Sequence, residues 1–222
     1  MTSLKLIGRN LSPYSRRVAV AMALLDIPHE REYLAVSADP ARGMAVNPVG
    51  RVPVLQIGIG KDGVPEESLI ESGAILDYLM ELAGPKSLIP PRGKARRDCL
   101  RLMALASGVL DKAVAAVSEL RRRPPEKVHE PHRQNLLGQA KGGLAALEAA
   151  AARIDAGQND PQHPWLLGEA FSMADATLAV TISFLRVMQP ELVPPGAYPA
   201  LEKLTAACEA LPAFKANPLE AP

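Results

Sequence analysis

Three short runs in this chain put hydroxyls, a carboxylate and prolines where the chain changes direction, and each can be read as a binding device. Ser12-Pro13-Tyr14-Ser15-Arg16-Arg17-Val18 lies between a predicted strand and a predicted helix. Serine at an N-cap followed by proline at the first helical position starts a helix on structural grounds alone: the hydroxyl accepts from an unpaired N–H, and proline has none to lose. The same geometry can also do chemistry. A thiol brought there meets unpaired N–H groups, the positive end of the helix dipole and a hydroxyl able to donate, and all three favour thiolate over thiol. Lowering a thiol pKa from about 8.5 by two units requires about 2.7 kcal/mol of differential stabilisation. One charge-assisted hydrogen bond together with a helix terminus is of that size. Ser15, one turn later, is the fallback hydroxyl.

The second run, Asn47-Pro48-Val49-Gly50-Arg51-Val52-Pro53-Val54-Leu55, puts a proline at the start of a predicted strand, where it has no N–H to give a ladder. If the Val52-Pro53 bond is cis, it can turn the main-chain groups of Val52 outward to pair with an extended peptide, as an added strand does. Otherwise the proline merely begins a strand; only about 5% of X-Pro bonds in folded proteins are cis. In the third run, Glu71-Ser72-Gly73-Ala74-Ile75-Leu76-Asp77-Tyr78-Leu79, Ser72 reads as the N-cap of another helix. A cap explains it fully. A helix start with free N–H groups and a hydroxyl is equally a carboxylate receptor, and Glu71 beside it can accept from an ammonium group, so the pair suits an amino-acid head group.

These runs need elements to hold them. Residues 4–8 read as a strand ended by Gly8, and Val18, Ala21, Met22 and Leu25 mark a helix over 13–25. Strands are predicted at Glu30–Val36 and Val52–Ile57, with a short helix between them at Pro40–Ala45 and a hairpin return at Ser68–Ile70 after the Asp62-Gly63 turn signal. Ile75, Tyr78, Leu79 and Leu82 mark a further helix. Gly84 to Gly93 concentrates helix breakers, so the reading divides the chain into an α/β domain over 1–84, a linker over 85–93 and an all-helical domain over 94–222. Helices are expected at 94–122, 131–155, 172–188 and 199–210, broken by Pro124-Pro125, by Gly157 to Pro164 and by Pro190 to Gly196. On the first of these, Met103, Ser107, Leu110 and Asp111 share a face. A bundle core accounts for Met103 and Leu110; Asp111 needs a separate reason.

The bulk properties narrow the function classes. Twenty-five basic against 24 acidic residues leave a formal charge of +1, which gives no general field for nucleic acid or an anionic membrane. Arg121-Arg122-Arg123 sits at a helix C-terminus before prolines and complements the helix dipole. Cys99 and Cys208 form neither a CxxC pair nor a metal knuckle, and a reducing cytoplasm suits them. No secretion signal or membrane span is expected.

In order, spacing and setting, S-P-Y-S-R-R-V, N-P-V-G-R-V-P-V-L, E-S-G-A-I-L-D-Y-L and the later W-L-L-G-E-A-F-S-M-A-D-A-T-L resemble the soluble glutathione transferase superfamily over nearly the whole chain. The resemblance implies a thioredoxin-like N-terminal domain, an all-helical C-terminal domain and a homodimer with glutathione as co-substrate and no metal. It implies conjugation of glutathione to a small hydrophobic electrophile, a detoxifying activity. Ser12 then matches the activating serine of the serine-type classes. Val52 matches the residue that pairs with the cysteinyl unit before the cis proline, Pro53; Glu71 and Ser72 match the γ-glutamyl pair; Arg51 occupies a basic position near the glycyl end. Serine in place of cysteine at position 12 speaks against glutaredoxin-like thiol transfer. Leu11, Tyr14, Met103, Ser107 and Asp111 are candidates for the second-substrate pocket, and Ser172 with Asp175 resembles the family's structural capping box, with Phe171 placed to pack on Ala176. Two other readings stand beside this one. A zeta-like cis/trans isomerase would use glutathione without consuming it, although the Ser-Ser-Cys run typical of that class is missing here. A non-catalytic binding module would keep the fold alone.

Overall fold

The computed structural model describes residues 2–157, 165–168 and 170–221, excepting the side chains of 154–157. Two compact units emerge, divided after Ser87, with Pro212–Ala221 grouped with the N-terminal one. That last segment is a correction to the sequence reading, which kept it in the helical domain. Its physical reason lies in contacts that Arg16 of the first helix and Asn10 before it make to this segment, described below.

The first unit is built on four strands, β1 (Leu4–Ile7), β2 (Glu30–Glu32), β3 (Val54–Ile59) and β4 (Pro65–Ile70), in the order β2-β1-β3-β4. β1 and β2 are parallel, so the chain between them must cross over, and it does so through α1 (Pro13–Leu24). β3 runs antiparallel to β1 with Ile7 opposite Val54, and β4 closes the sheet antiparallel to β3. Both edges are blunted: β2 is Glu-Arg-Glu with Lys5 facing Glu30 at 3.6 Å, and β4 begins at Pro65, where an edge strand tolerates a missing N–H. The predicted strand over Glu30–Val36 therefore stops at Glu32. Leu34 and Val36 leave the ladder to pack on Ile7 and Val54 instead. The strand at Val52 starts two residues later, and the return strand starts at Pro65 rather than Ser68.

α1 is buried from Pro13 to Met22 apart from Tyr14, as its small and apolar residues Val18 to Met22 require, and it packs on α3 (Ser72–Ala83) and on α8 (Pro212–Ala216). α3 buries Ile75, Leu76, Leu79 and Met80 on one face while Asp77 and Glu81 stay exposed, the stripe of a one-sided helix. The short α2 (Pro40–Val46) starts on Asp39, whose carboxylate accepts from the Arg42 N–H at 2.9 Å.

The second unit holds α4 (Gly93–Arg121), α5 (Glu130–Gly157), α6 (Met173–Met188) and α7 (Pro199–Glu209). α6 is buried on every side from Met173 to Leu185 and packs on α4 and α7, which makes it the centre of this bundle. Asp175 ties down its start, accepting from the Ser172 N–H at 2.8 Å, the Ser172 hydroxyl at 2.7 Å and the Leu166 N–H at 2.6 Å. Phe171 stands edge-on to Trp165 at 5.0 Å, a larger apolar partner than the alanine the sequence reading offered it. Arg123 pairs with Glu119 at 2.8 Å, so part of the basic cluster is taken up inside the unit. The predicted break at 157–164 lies, past Gly157, outside the described residues.

Candidate functional site

Ser12 is the N-cap of α1. Its backbone is extended (φ −70°, ψ 116°), its Oγ accepts from the Ser15 N–H at 3.3 Å, and its carbonyl accepts from the Arg16 N–H at 2.9 Å. The residue is half-exposed, and no bond among the described residues commits its hydroxyl proton. Ser15 differs in kind: it is fully buried and its Oγ has no hydrogen-bond partner among the described residues. That Oγ lies where a Cβ on Gly8 would meet it at 2.5 Å, with the Val52 Cβ at 3.3 Å from the same point. Gly8, at φ 142°, is thus required by backbone conformation and by close approach together. It draws the end of β1, the first turn of α1 and Val52 into one place.

Val52 precedes β3, outside the ladder that begins at the Val54–Ile7 pair, and its side chain packs on Ile7, Leu34 and Val54. The Val52-Pro53 peptide is cis. Buried Asn47 holds the approach to it, its amide donating to the Arg51 carbonyl at 2.9 Å while its Oδ1 accepts from the Val49 N–H at 2.9 Å. Arg51 itself is exposed.

Glu71, and not Ser72 as the sequence suggested, is the N-cap of α3; Ser72 is the first helical residue. Glu71 sits at φ 71°, a left-handed conformation that costs a non-glycine residue about 1–3 kcal/mol and persists only where its surroundings over-determine it. The surroundings are specific. Glu71 Oε1 accepts from the Ser72 hydroxyl at 2.9 Å and the Gly73 N–H at 3.2 Å, and Ser72 Oγ in turn accepts from Arg17 Nη2 at 2.6 Å. Burial works against the Glu71 carboxylate, but the Gly73 N–H, the Ser72 hydroxyl and the Arg17 charge outweigh it and hold its pKa below the ordinary glutamate value.

Arg17 is the residue at these two helix starts that the sequence reading passed over. Only 4% exposed, it ties the second turn of α1 to the start of α3, standing 4.0 Å from Glu71 and over the Tyr14 ring at 5.7 Å. Its signal was present: Arg17 directly precedes the run Val18 to Met22, whose consecutive small and apolar residues cover every face of the helix and call for burial all round, and a buried charge needs partners.

The structure thus gathers Ser12, Ser15, Val52, Glu71 and Ser72 on one unit around the starts of α1 and α3. The five pocket candidates are divided between the two units. Leu11, buried, and Tyr14, half-buried, belong to the first unit. Met103, Ser107 and Asp111 belong to the second, where Met103 is half-buried with its sulfur 3.8 Å from Cys99 Sγ, Ser107 is half-buried and Asp111 is exposed. Both cysteines are buried, which pushes their thiols up in pKa, the opposite of what a reactive thiol needs. Among the described residues no cluster of His, Cys, Asp or Glu could hold a metal ion, and no helix is long and apolar enough to cross a membrane.

A four-stranded mixed sheet with its helices, followed by a helical bundle, defines the class: a thioredoxin-like domain joined to an all-helical one. Residues 6–87 match the family model described as Glutathione S-transferase, N-terminal domain, and residues 130–207 match Glutathione S-transferase, C-terminal domain. A glutathione S-transferase from Methylobacillus flagellatus, solved with glutathione bound, is 31% identical, with a TM-score of 0.83 over 99% of this chain and 100% of that one. Another, from Methylobacterium radiotolerans, in complex with glutathione sulfonate, is 26% identical, with a TM-score of 0.82 over 97% of this chain and 94% of that one. The glutathione S-transferase-like protein OpS6 of Beauveria bassiana is 25% identical over 96% of this chain and 93% of its own. The chain belongs to the glutathione S-transferase family.

Proposed function

We propose that this protein is a glutathione transferase that activates the glutathione thiol with Ser12 and conjugates it to a small hydrophobic electrophile. One observation carries the reading. Ser12 already accepts from its own helix through an oxygen lone pair, so its proton is left to donate to sulfur, and the half-exposed position lets a ligand reach it. The buried Ser15 hydroxyl, turned toward Gly8, is the poorer candidate.

The rest of the tripeptide follows the chemistry of the remaining groups. Main-chain groups of Val52, which take part in no ladder pair, are free in direction to bond the cysteinyl unit beside Pro53. Arg51 is an exposed cation suited to the glycyl carboxylate. Glu71 and Arg17 present opposite charges through Ser72, matching the ammonium and carboxylate of the γ-glutamyl end. Leu11 and Tyr14 flank Ser12 in sequence and are assigned contacts with the electrophile, and Met103, Ser107 and Asp111 are assigned to the same role from α4. The reading includes a homodimer, which light scattering on the purified protein tests, and a cytoplasmic location, which cell fractionation tests. The direct test of the chemistry is Ser12→Ala in conjugation of glutathione to a generic aryl halide: turnover should fall, and unchanged turnover removes Ser12 from the mechanism.

A further inference from the structure

The segment Pro212–Ala221 lies beyond both family-model matches, yet it is bound into the first unit by polar contacts to the loop that carries Ser12. Phe214 is fully buried with the Arg16 guanidinium 5.6 Å from its ring centre, and Arg16 Nε donates to the Asn217 carbonyl at 2.8 Å. Three residues on, Glu220 Oε1 accepts from the main-chain N–H of Asn10 at 2.8 Å. Asn10 is only 8% exposed, and its side-chain oxygen accepts from Arg31 Nη2 at 2.9 Å. The Glu220 carboxylate also acts on Arg31 as its counter-charge. Arg31 further donates to the Gly8 carbonyl at 3.4 Å, and the Arg9 carbonyl accepts from the Ser12 N–H at 3.1 Å. The whole turn from Gly8 to Ser12 is therefore pinned on one side by β2 and on the other by a carboxylate 210 residues away in sequence.

We infer that Glu220 is a positioning residue for the thiolate site, its carboxylate holding Asn10 and through it the turn that sets the Ser12 hydroxyl. This deepens the proposed transferase reading and rests on it. The physical ground is the asymmetry of buried hydrogen bonds: a buried N–H deprived of its acceptor retains its desolvation penalty, so the turn shifts to find another partner. A hydroxyl two residues along cannot keep a bond to sulfur through such a shift, because the bond weakens steeply with distance and angle.

The test uses Glu220→Ala and Glu220→Gln in the full chain, with two readouts. Amide exchange at Asn10 reports the latch without reference to chemistry, and the ultraviolet absorbance of the glutathione thiolate on the protein, titrated with pH, reports the hydroxyl. The alanine variant should speed Asn10 exchange by about tenfold or more and raise the bound-thiol pKa by roughly half a unit or more. The glutamine variant keeps an acceptor oxygen and should restore both. Asn10 still protected in Glu220→Ala, or a thiol pKa unmoved despite a freed Asn10, overturns the inference; so does an equal loss in both variants, which would make charge or general folding the cause. If the unaltered protein binds glutathione but forms no thiolate, the transferase reading fails, and Asn10 exchange still decides the latch.

Discussion

The cap at Ser12 and its proposed catalytic role share one oxygen, and the two effects differ enough in size to be told apart. Ser12→Ala removes a cap bond of 3.3 Å, at the long end for N–H···O, so the stability cost falls toward the lower half of the usual range, about 0.5–1 kcal/mol. If the hydroxyl with the helix terminus lowers the thiol pKa by about two units, that is about 2.7 kcal/mol, and the hydroxyl is the larger contributor. The fraction of thiolate at pH 7 would then fall from about three quarters toward a few per cent as the pKa returns to about 8.5. Ser12→Asp separates the two roles, since aspartate caps as well as serine but places a negative charge against sulfur, so stability is kept and the thiol pKa rises further. The assay is a pH titration of bound-thiolate absorbance beside denaturant unfolding. The titration carries the test because a thiolate of higher pKa is the better nucleophile and offsets part of the loss in rate. A thiol pKa in Ser12→Ala within a few tenths of the unaltered protein's, or a Ser12→Asp titration that matches it, refutes the assignment and leaves Ser12 a cap.

Arg17→Ala deletes a charge-assisted bond to Ser72 worth about 1.5–3 kcal/mol; calorimetry should show glutathione binding weakened by tenfold or more with the bound-thiol pKa little changed, and binding within twofold of normal would reduce Arg17 to a structural tie. Ser15→Ala removes a buried hydroxyl that has no partner among the described residues, so it should leave conjugation intact and change stability by no more than about 1 kcal/mol in either direction; a large loss of activity would reinstate Ser15 as the thiol's partner. Because the Glu71 pKa is lowered in the folded protein, the carboxylate's contribution is present above the ordinary value of 4.5 and is lost as pH falls through the depressed one. Glutathione affinity measured by fluorescence or calorimetry should accordingly lose its Glu71-dependent part only below about pH 4.5, and a Glu71-dependent loss centred near neutrality would contradict the arrangement.

Local patterning determined a great deal. The S-P pair starting α1, the small and apolar run that buries it, the breakers after Gly84 and the helices of the second unit are short-range signals, and the structure places them within a few residues of the reading. Strand ends were less legible. Leu34 and Val36 look like strand residues but serve the core from outside the ladder, because where a ladder stops depends on the partner strand and not on the run itself.

At the proposed site, Ser12, Val52, Pro53, Glu71 and Ser72 could be singled out as candidates from three local motifs, since caps and prolines act on their immediate neighbours. What joins them could not. Arg17 meets Ser72 across 55 residues and Glu220 meets Asn10 across 210, and nothing in either run of sequence specifies the other. The same holds for Ser12 against Ser15: both are serines near one helix start, and only the close approach of Gly8 and Val52 buries one hydroxyl and leaves the other half-exposed. Sequence determined which groups can do the chemistry, because residue type and local spacing carry it. Tertiary packing decided which of them are exposed, paired and held, because burial and long-range hydrogen bonds exist only once distant segments have met.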